Sequence, residues 1–172
     1  MMYPRPIATG TSLASCLTLA NWAAVSGDIS LEAPPDDRYG VAPCLKITSG
    51  AGANAIADLN LNSQLTGRFG VLIYMKPYES AAGDINNTQN CLLYLSNDAG
   101  FANFFTRTIQ VRPGWNYIVV GRAPYVTTSV KEATWQSSGS PSWASPFAKI
   151  RVRVNSQASS STEIWVRAIR DG

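Results

Sequence analysis

The residue types that carry most enzyme chemistry are thinly supplied in this chain. Histidine is missing from all 172 positions, which removes an imidazole general base, a Ser-His-Asp triad and histidine-ligated zinc together. Carboxylates are the next candidates. Glycoside hydrolysis needs two of them facing one another, and Asp84, Asp98, Glu132 and Glu163 stand on separate segments whose spacing does not pair them. Asp36-Asp37 follows Pro34-Pro35 and reads as an exposed acidic turn. The run "GAGANA", Gly50 to Ala55, has the small residues of a phosphate loop without the lysine and following helix that such a loop requires. Asn86-Asn87-Thr88 is a glycosylation sequon, which matters only in a secreted chain. Cys16, Cys44 and Cys91 are odd in number and far apart, so they outline neither a disulfide framework nor a metal clip, and buried thiols are expected. No cofactor is expected.

Side chains suited to binding are better represented. In "AKIRVRV", Ala148 to Val154, strand alternation puts Ile150, Val152 and Val154 on one face and Lys149, Arg151 and Arg153 on the other. Such a basic stripe is either a solvated face or a contact for an acidic sugar or an acidic protein surface. Trp135 stands in the Ser-rich stretch "KEATWQSSGSPSWASP". An indole there can stack on a sugar ring or anchor a protein interface, or it can fold back over the edge of the core. Tyr78 and Tyr125, in neighbouring turn-rich segments, carry the same alternatives. The net charge of +3 is scattered along the chain rather than pooled in a dense run, so nucleic-acid binding is not expected. Nor is a membrane span, since the longest clearly apolar run, Val71 to Met75, is far too short.

Strands must position these groups, because no convincing helix is visible. Period-two or continuous apolar segments occur at Cys44 to Ser49, Ala55 to Leu61, Phe69 to Lys76, Asn90 to Ser96, Phe104 to Val111, Trp115 to Val120, Ala148 to Val154 and Glu163 to Arg170. Turn formers separate them, as in "SGAGAN", "SNDAG", "RPG" and "NSQASSST". Eight or more strands at this spacing predict an all-β fold with two antiparallel sheets packed face to face. "SLASCLTLANWAAV", Ser12 to Val25, is ambiguous between helix and strand. "LASC", Leu13 to Cys16, matches a lipoprotein cleavage pattern, but the apolar stretch that a signal peptide needs does not precede it, so lipidation is not expected. In "QVRPGWNYIVV", Gln110 to Val120, Pro113-Gly114 predicts a reversal. The strand after it is apolar on both faces, the pattern of an inner strand, with Trp115 filling the core between the sheets.

"LTLANWAAVSGDISLE", "APCLKITSGAGANAIADLNL", "CLLYLSNDAGFANFFTRTIQVRPGWNYIVV" and "SWASPFAKIRVRVNSQASSSTEIWVRAIRDG", taken in this order, resemble a family of jelly-roll, carbohydrate-binding-like β-sandwich modules. Members occur in bacteriophage tail and other virion proteins and beside polysaccharide-active enzymes. The likeness runs from Leu13 to the C-terminus, leaving residues 1–12 as an N-terminal arm and 13–172 as one domain. Its most specific parts are Gly114-Trp115-Asn116, the pattern of Trp143, Pro146 and Ile150, and the closing strand. The resemblance implies structural roles for Trp22, Trp115 and Trp143. Many members hold a calcium ion with an aspartate of the closing strand. Arg167 occupies that place here and no carboxylate stands in "TSLASCLTLANW", so no metal is expected there. Trp135 is a second tryptophan ahead of the Pro-x-x-x-Ile pattern and reads as part of an inserted loop. The function implied is non-catalytic: a capsid decoration or tail-fibre module, made in a host cytoplasm without a signal peptide. It would associate with other virion proteins, form homo-oligomers, and take host surface polysaccharide as a further ligand. A chain that starts at Met1 and stops just beyond its last strand is expected to act by association rather than through an attached catalytic domain. The alternative is a polysaccharide lyase or hydrolase, or a binding module serving one.

Overall fold

The computed structural model describes residues 11–14, 18–36, 44–65, 68–76, 89–121, 135–155 and 161–171. These form twelve strands: β1 (Thr11–Ala14), β2 (Trp22–Ser26), β3 (Asp28–Glu32), β4 (Cys44–Ser49), β5 (Ala55–Ser63), β6 (Arg68–Met75), β7 (Gln89–Ser96), β8 (Phe104–Val111), β9 (Gly114–Gly121), β10 (Gln136–Ser138), β11 (Phe147–Val154) and β12 (Thr162–Asp171). A single 3-10 turn, Leu19–Asn21, precedes β2. One sheet runs β3-β4-β12-β6-β9, with β1 also pairing with β12. The other runs β10-β8-β7-β11-β5-β2. Every pairing is antiparallel. The expected two-sheet antiparallel sandwich is what forms. Strand β1 begins at Thr11, so the first strand takes in the last two residues of the anticipated arm.

Alternation decides which side chains meet between the sheets. Leu45, Ile47, Ile73 and Ile164 from the first sheet, and Leu93, Leu95, Ile150 and Val154 from the second, are buried in one contiguous core. Trp22 belongs to it, and Trp135 and Trp143 pack against its rim. The chain crosses between sheets at Gly27, which joins β2 to β3. Its φ is +71°, and a Cβ would lie 2.6 Å from the Thr48 carbonyl oxygen and 2.7 Å from Ala55 Cβ, so only glycine fits that corner. Cys44 and Cys91 are buried thiols, and burial pushes the Cys91 thiol up to about 12, which keeps it inert. Cys16 lies outside the described residues.

Two expectations about the Pro-Gly segment are corrected. Among the described residues strand β9 is an edge strand, paired with β6 alone. Its register places Trp115 beside Tyr74 and Ile118 beside Val71. Ile118 therefore faces the core, while Trp115, Tyr117 and Val119 face outward, the latter two at 46% and 41% exposure. Trp115 does not fill the space between the sheets. It packs outside the first sheet, in a second cluster with Cys44, Tyr74 and Trp165, where its Nε1 donates to the Asp36 carbonyl at 2.8 Å. Strand parity, invisible when both faces of a segment are apolar, sends the indole to the other side. Asn116 ties the reversal instead, accepting from the Arg112 N–H and donating to the carbonyls of Arg112 and Gly114.

Candidate functional site

The outer face of the second sheet brings charged and aromatic groups together. Strand β11 lies between β5 and β7 in that sheet, so Lys149, Arg151 and Arg153 run along its middle, about 7 Å from one to the next. Arg151 faces Asp58 of β5 on one side and Tyr94 of β7 on the other. Its Nε and Nη2 donate to the two Asp58 carboxylate oxygens at 2.6 and 2.8 Å, the bidentate fork that arginine makes best. Asp58 is buried, at 4% exposure, so this pair is expensive to break. Lys149 Nζ stands 3.8 Å from the same carboxylate. Arg153 is flanked by Ile56 and Leu92 on the neighbouring strands, and its buried Nε makes no hydrogen bond. The stripe is thus partly committed to the fold through Asp58 rather than being wholly solvated.

Beside the stripe lies a three-ring patch. Tyr94 and Phe104 are 5.4 Å apart and tilted, and Phe101 meets each of them at 6.4 Å, edge to face. The Arg151 guanidinium carbon sits 3.9 Å from the Phe101 ring centroid, which completes a cation–π contact. All of these side chains are half-buried, leaving part of each ring accessible. Tyr94 and Phe104 are placed by strand alternation, but Phe101 is placed by a loop.

That loop, residues 97–103, holds Phe101 at φ 56°, a left-handed conformation that a bulky L-residue adopts only at a cost of about 1–2 kcal/mol. Asp98 supplies the compensation. Its carboxylate accepts from the backbone N–H groups of Gly100, Ala102 and Asn103, at 2.9, 3.0 and 2.7 Å, and from the Asn103 side chain. The loop is also knit to the segment around β10. The Asn97 side chain accepts from the Ser142 N–H and donates to the Ser142 and Pro146 carbonyls. Asn103 Oδ1 accepts from the Ser140 N–H, and Gly139 lies so close that a Cβ there would come within 2.4 Å of the Ala102 oxygen. Strain held by many hydrogen bonds in this way marks a side chain whose position matters.

The hydrogen bonds from Ala102 and Asn103 hold the Asp98 carboxyl below the ordinary aspartate range. A carboxyl depressed in the folded state contributes stability at neutral pH, and this contribution is lost as pH falls through the folded value. Acidification below the ordinary aspartate range therefore loosens the loop. Asp98→Ala produces the same loosening at neutral pH, read as exchange protection lost at the amides of Gly100, Ala102 and Asn103 while those of β11 keep theirs.

Of the residues singled out from the sequence, the fold unites Arg151 and Arg153. Trp135 is elsewhere: it is half-buried at the core rim, edge-on to Trp143 with ring centroids 5.7 Å apart, and Trp143 stacks on Phe105 at 4.8 Å. Tyr78 and Tyr125 lie outside the described residues. Arg167 stands at the irregularity of β12 between Val166 and Ala168. Among the described residues no group of three or more His, Cys, Asp or Glu is arranged to hold a metal ion. Asp58, Tyr94, Phe101 and Phe104 were missed by sequence reasoning. The available signal was "SNDAGFANF", where Asp98 two residues before a glycine is an Asx-turn pattern that lifts an aromatic onto the sheet.

No protein-family model matches the chain, and no curated protein matches it by sequence. Solved structures do share its fold. The chain is similar to the family 11 carbohydrate-binding module of the cellulosomal cellulase Lic26A-Cel5E of Clostridium thermocellum, with a TM-score of 0.59, 10% identity and 95% of both chains covered. A family 11 module from Clostridium thermocellum in complex with a β-1,3-1,4-mixed-linked tetrasaccharide aligns with a TM-score of 0.55 and 12% identity, over 94% of both chains. The agarase AgWH50C aligns with a TM-score of 0.61 and 12% identity over 95% of this chain, which corresponds to 25% of the agarase. The fold is that of a carbohydrate-binding-module β-sandwich.

Proposed function

We propose that this protein is a non-catalytic module that binds polysaccharide on the outer face of the β7–β11 sheet. The observation that carries the reading is the Tyr94, Phe101 and Phe104 patch set against the Arg151–Asp58 fork. Half-exposed rings give a sugar's C–H face apolar area at little entropic cost, and fixed polar groups beside them orient its hydroxyls. The fold shared with sugar-binding modules supports it. Binding without turnover also suits the two described carboxylates nearest this patch. Asp58 has both oxygens occupied by Arg151 and Asp98 is occupied by its own loop, whereas glycoside hydrolysis uses two carboxyl groups available to the scissile bond.

The test is affinity electrophoresis of the whole chain through gels containing soluble polysaccharides. Retardation by at least one polymer is expected, and Phe101→Ala should abolish most of it, about tenfold or more in Kd, with an unchanged melting temperature and no release of reducing ends. Retardation that is indifferent to Tyr94→Ala, Phe101→Ala and Phe104→Ala would move the site elsewhere. A place on the exterior of a bacteriophage particle, as decoration protein or tail fibre, is the finer reading that the sequence resemblance suggests. The structural neighbours lend it no support. Imaging this chain in an intact particle would test it.

A further inference from the structure

We propose that this face selects acidic polysaccharide, one bearing carboxylate or sulfate groups, over neutral glycans. The inference rests on the glycan-binding reading above and deepens it. Its warrant is an uncompensated charge. Among the described residues whose side chains point out from β2, β5, β7, β8, β10 and β11, the bases are Lys149, Arg151 and Arg153, and the one acid is Asp58. Arg151 takes both Asp58 oxygens, which leaves that carboxylate little capacity to accept from a sugar hydroxyl. Lys149 is left with a long 3.8 Å approach to it.

Among the described residues Arg153 has no acidic partner. Its stem lies between Ile56 and Leu92, and its buried Nε is without a hydrogen bond. A desolvated guanidinium donor left unmatched costs free energy in the unbound protein. Arg153 as a whole is only half-buried, so the charge it carries beyond the buried Nε is open to an anion with acceptor oxygens, such as a carboxylate or a sulfate group. A neutral hydroxyl offers a weaker acceptor and no charge. Strand geometry puts Arg153 about 7 Å from Arg151 along β11, so a chain lying with a ring against the Phe101 patch brings a neighbouring substituent within reach of it. The aromatic patch supplies the sugar-face contact, and Lys149 with Arg153 supplies the preference for charge.

The experiment compares polygalacturonate, dextran sulfate, a neutral mixed-linked β-glucan and a DNA duplex as probes of the full chain by titration calorimetry, at low and high sodium chloride. Tighter binding of at least one acidic polysaccharide than of the neutral glucan is expected, weakening as salt screens the contact. Arg153→Gln should cost about tenfold in Kd for the acidic polymer while leaving the melting temperature in place. Arg153→Lys should recover part of that loss. Equal or tighter binding of the neutral glucan, with Arg153→Gln silent and Phe101→Ala still damaging, would overturn the charge preference and leave glycan binding standing. Binding of the DNA duplex as tight as that of the acidic polysaccharides would overturn it too, by reducing it to attraction for any polyanion. Failure of every polysaccharide to bind would overturn both readings.

Discussion

Arg151→Ala is expected to lower the stability of the fold by about 3 kcal/mol and to remove glycan binding as well. The reason is Asp58. At 4% exposure its carboxylate is buried, and the two hydrogen bonds from Arg151 are what offset its desolvation. With the guanidinium gone, the charge is left facing Lys149 at 3.8 Å, and breaking a buried pair from one side costs about 3–5 kcal/mol. The lower end applies because the Arg151 side chain keeps 22% exposure. Phe101 loses the cation against its ring in the same step. Urea denaturation measures the first effect and polysaccharide titration the second. Pairing Arg151→Met with Asp58→Leu separates them: most of the stability should return, since an apolar pair of similar volume needs no counter-ion, while binding stays lost. Recovery of binding in that double variant would show that the fork serves the fold alone.

Phe147→Ala has the largest effect on stability, about 4 kcal/mol, through the cavity it leaves. Phe147 is fully buried where β11 enters the sheet, with Trp143 at 5.3 Å and Phe105 at 6.3 Å between ring centroids. Trp143 rests on both rings and supports Trp135 in turn. Removing the phenyl ring therefore loosens two indoles, and tryptophan fluorescence should shift to the red in the still-folded protein. Phe147→Leu keeps most of the volume and should cost less than half as much. Because Phe147 faces inward, affinity measured on the folded fraction should hardly change. A tenfold loss of affinity at temperatures where the variant is fully folded would contradict the separation of inner packing from the outer face.

Strand identity was legible because period-two patterning and turn residues report it directly. Cys44–Ser49 and Phe104–Val111 form at the expected boundaries. Less legible were Trp22–Ser26, whose Ala and Ser residues carry no clean alternation, and Asp28–Glu32, which alternates cleanly but over only five residues; both are short strands at sheet edges. The face taken by Trp115 was illegible for a related reason. When Tyr117 and Val119 alternate with Ile118 and Val120, hydropathy cannot tell inside from outside, and only the pairing register with β6 decides. Within the candidate site, Arg151 and Arg153 stand out in the sequence because charge alternates with Ile150, Val152 and Val154. Asp58 does not, because its value comes from lying across from Arg151, 93 residues away in the chain. Phe101 needed a loop conformation fixed by Asp98, Asn97 and Gly139, a property of three segments acting together.

The pairing of β1 with β12 sets Thr11 opposite Asp171, so the two ends of the sandwich emerge side by side from the sheet that does not carry the Arg151 face. A fusion tag, surface tether or fluorescent reporter joined directly at Thr11 or at Asp171 would leave from one shared exit, on the opposite sheet from a captured polymer. Immobilising the protein through that exit should present its ligand face outward, and swapping the attachment from one end to the other should change the measured capture very little.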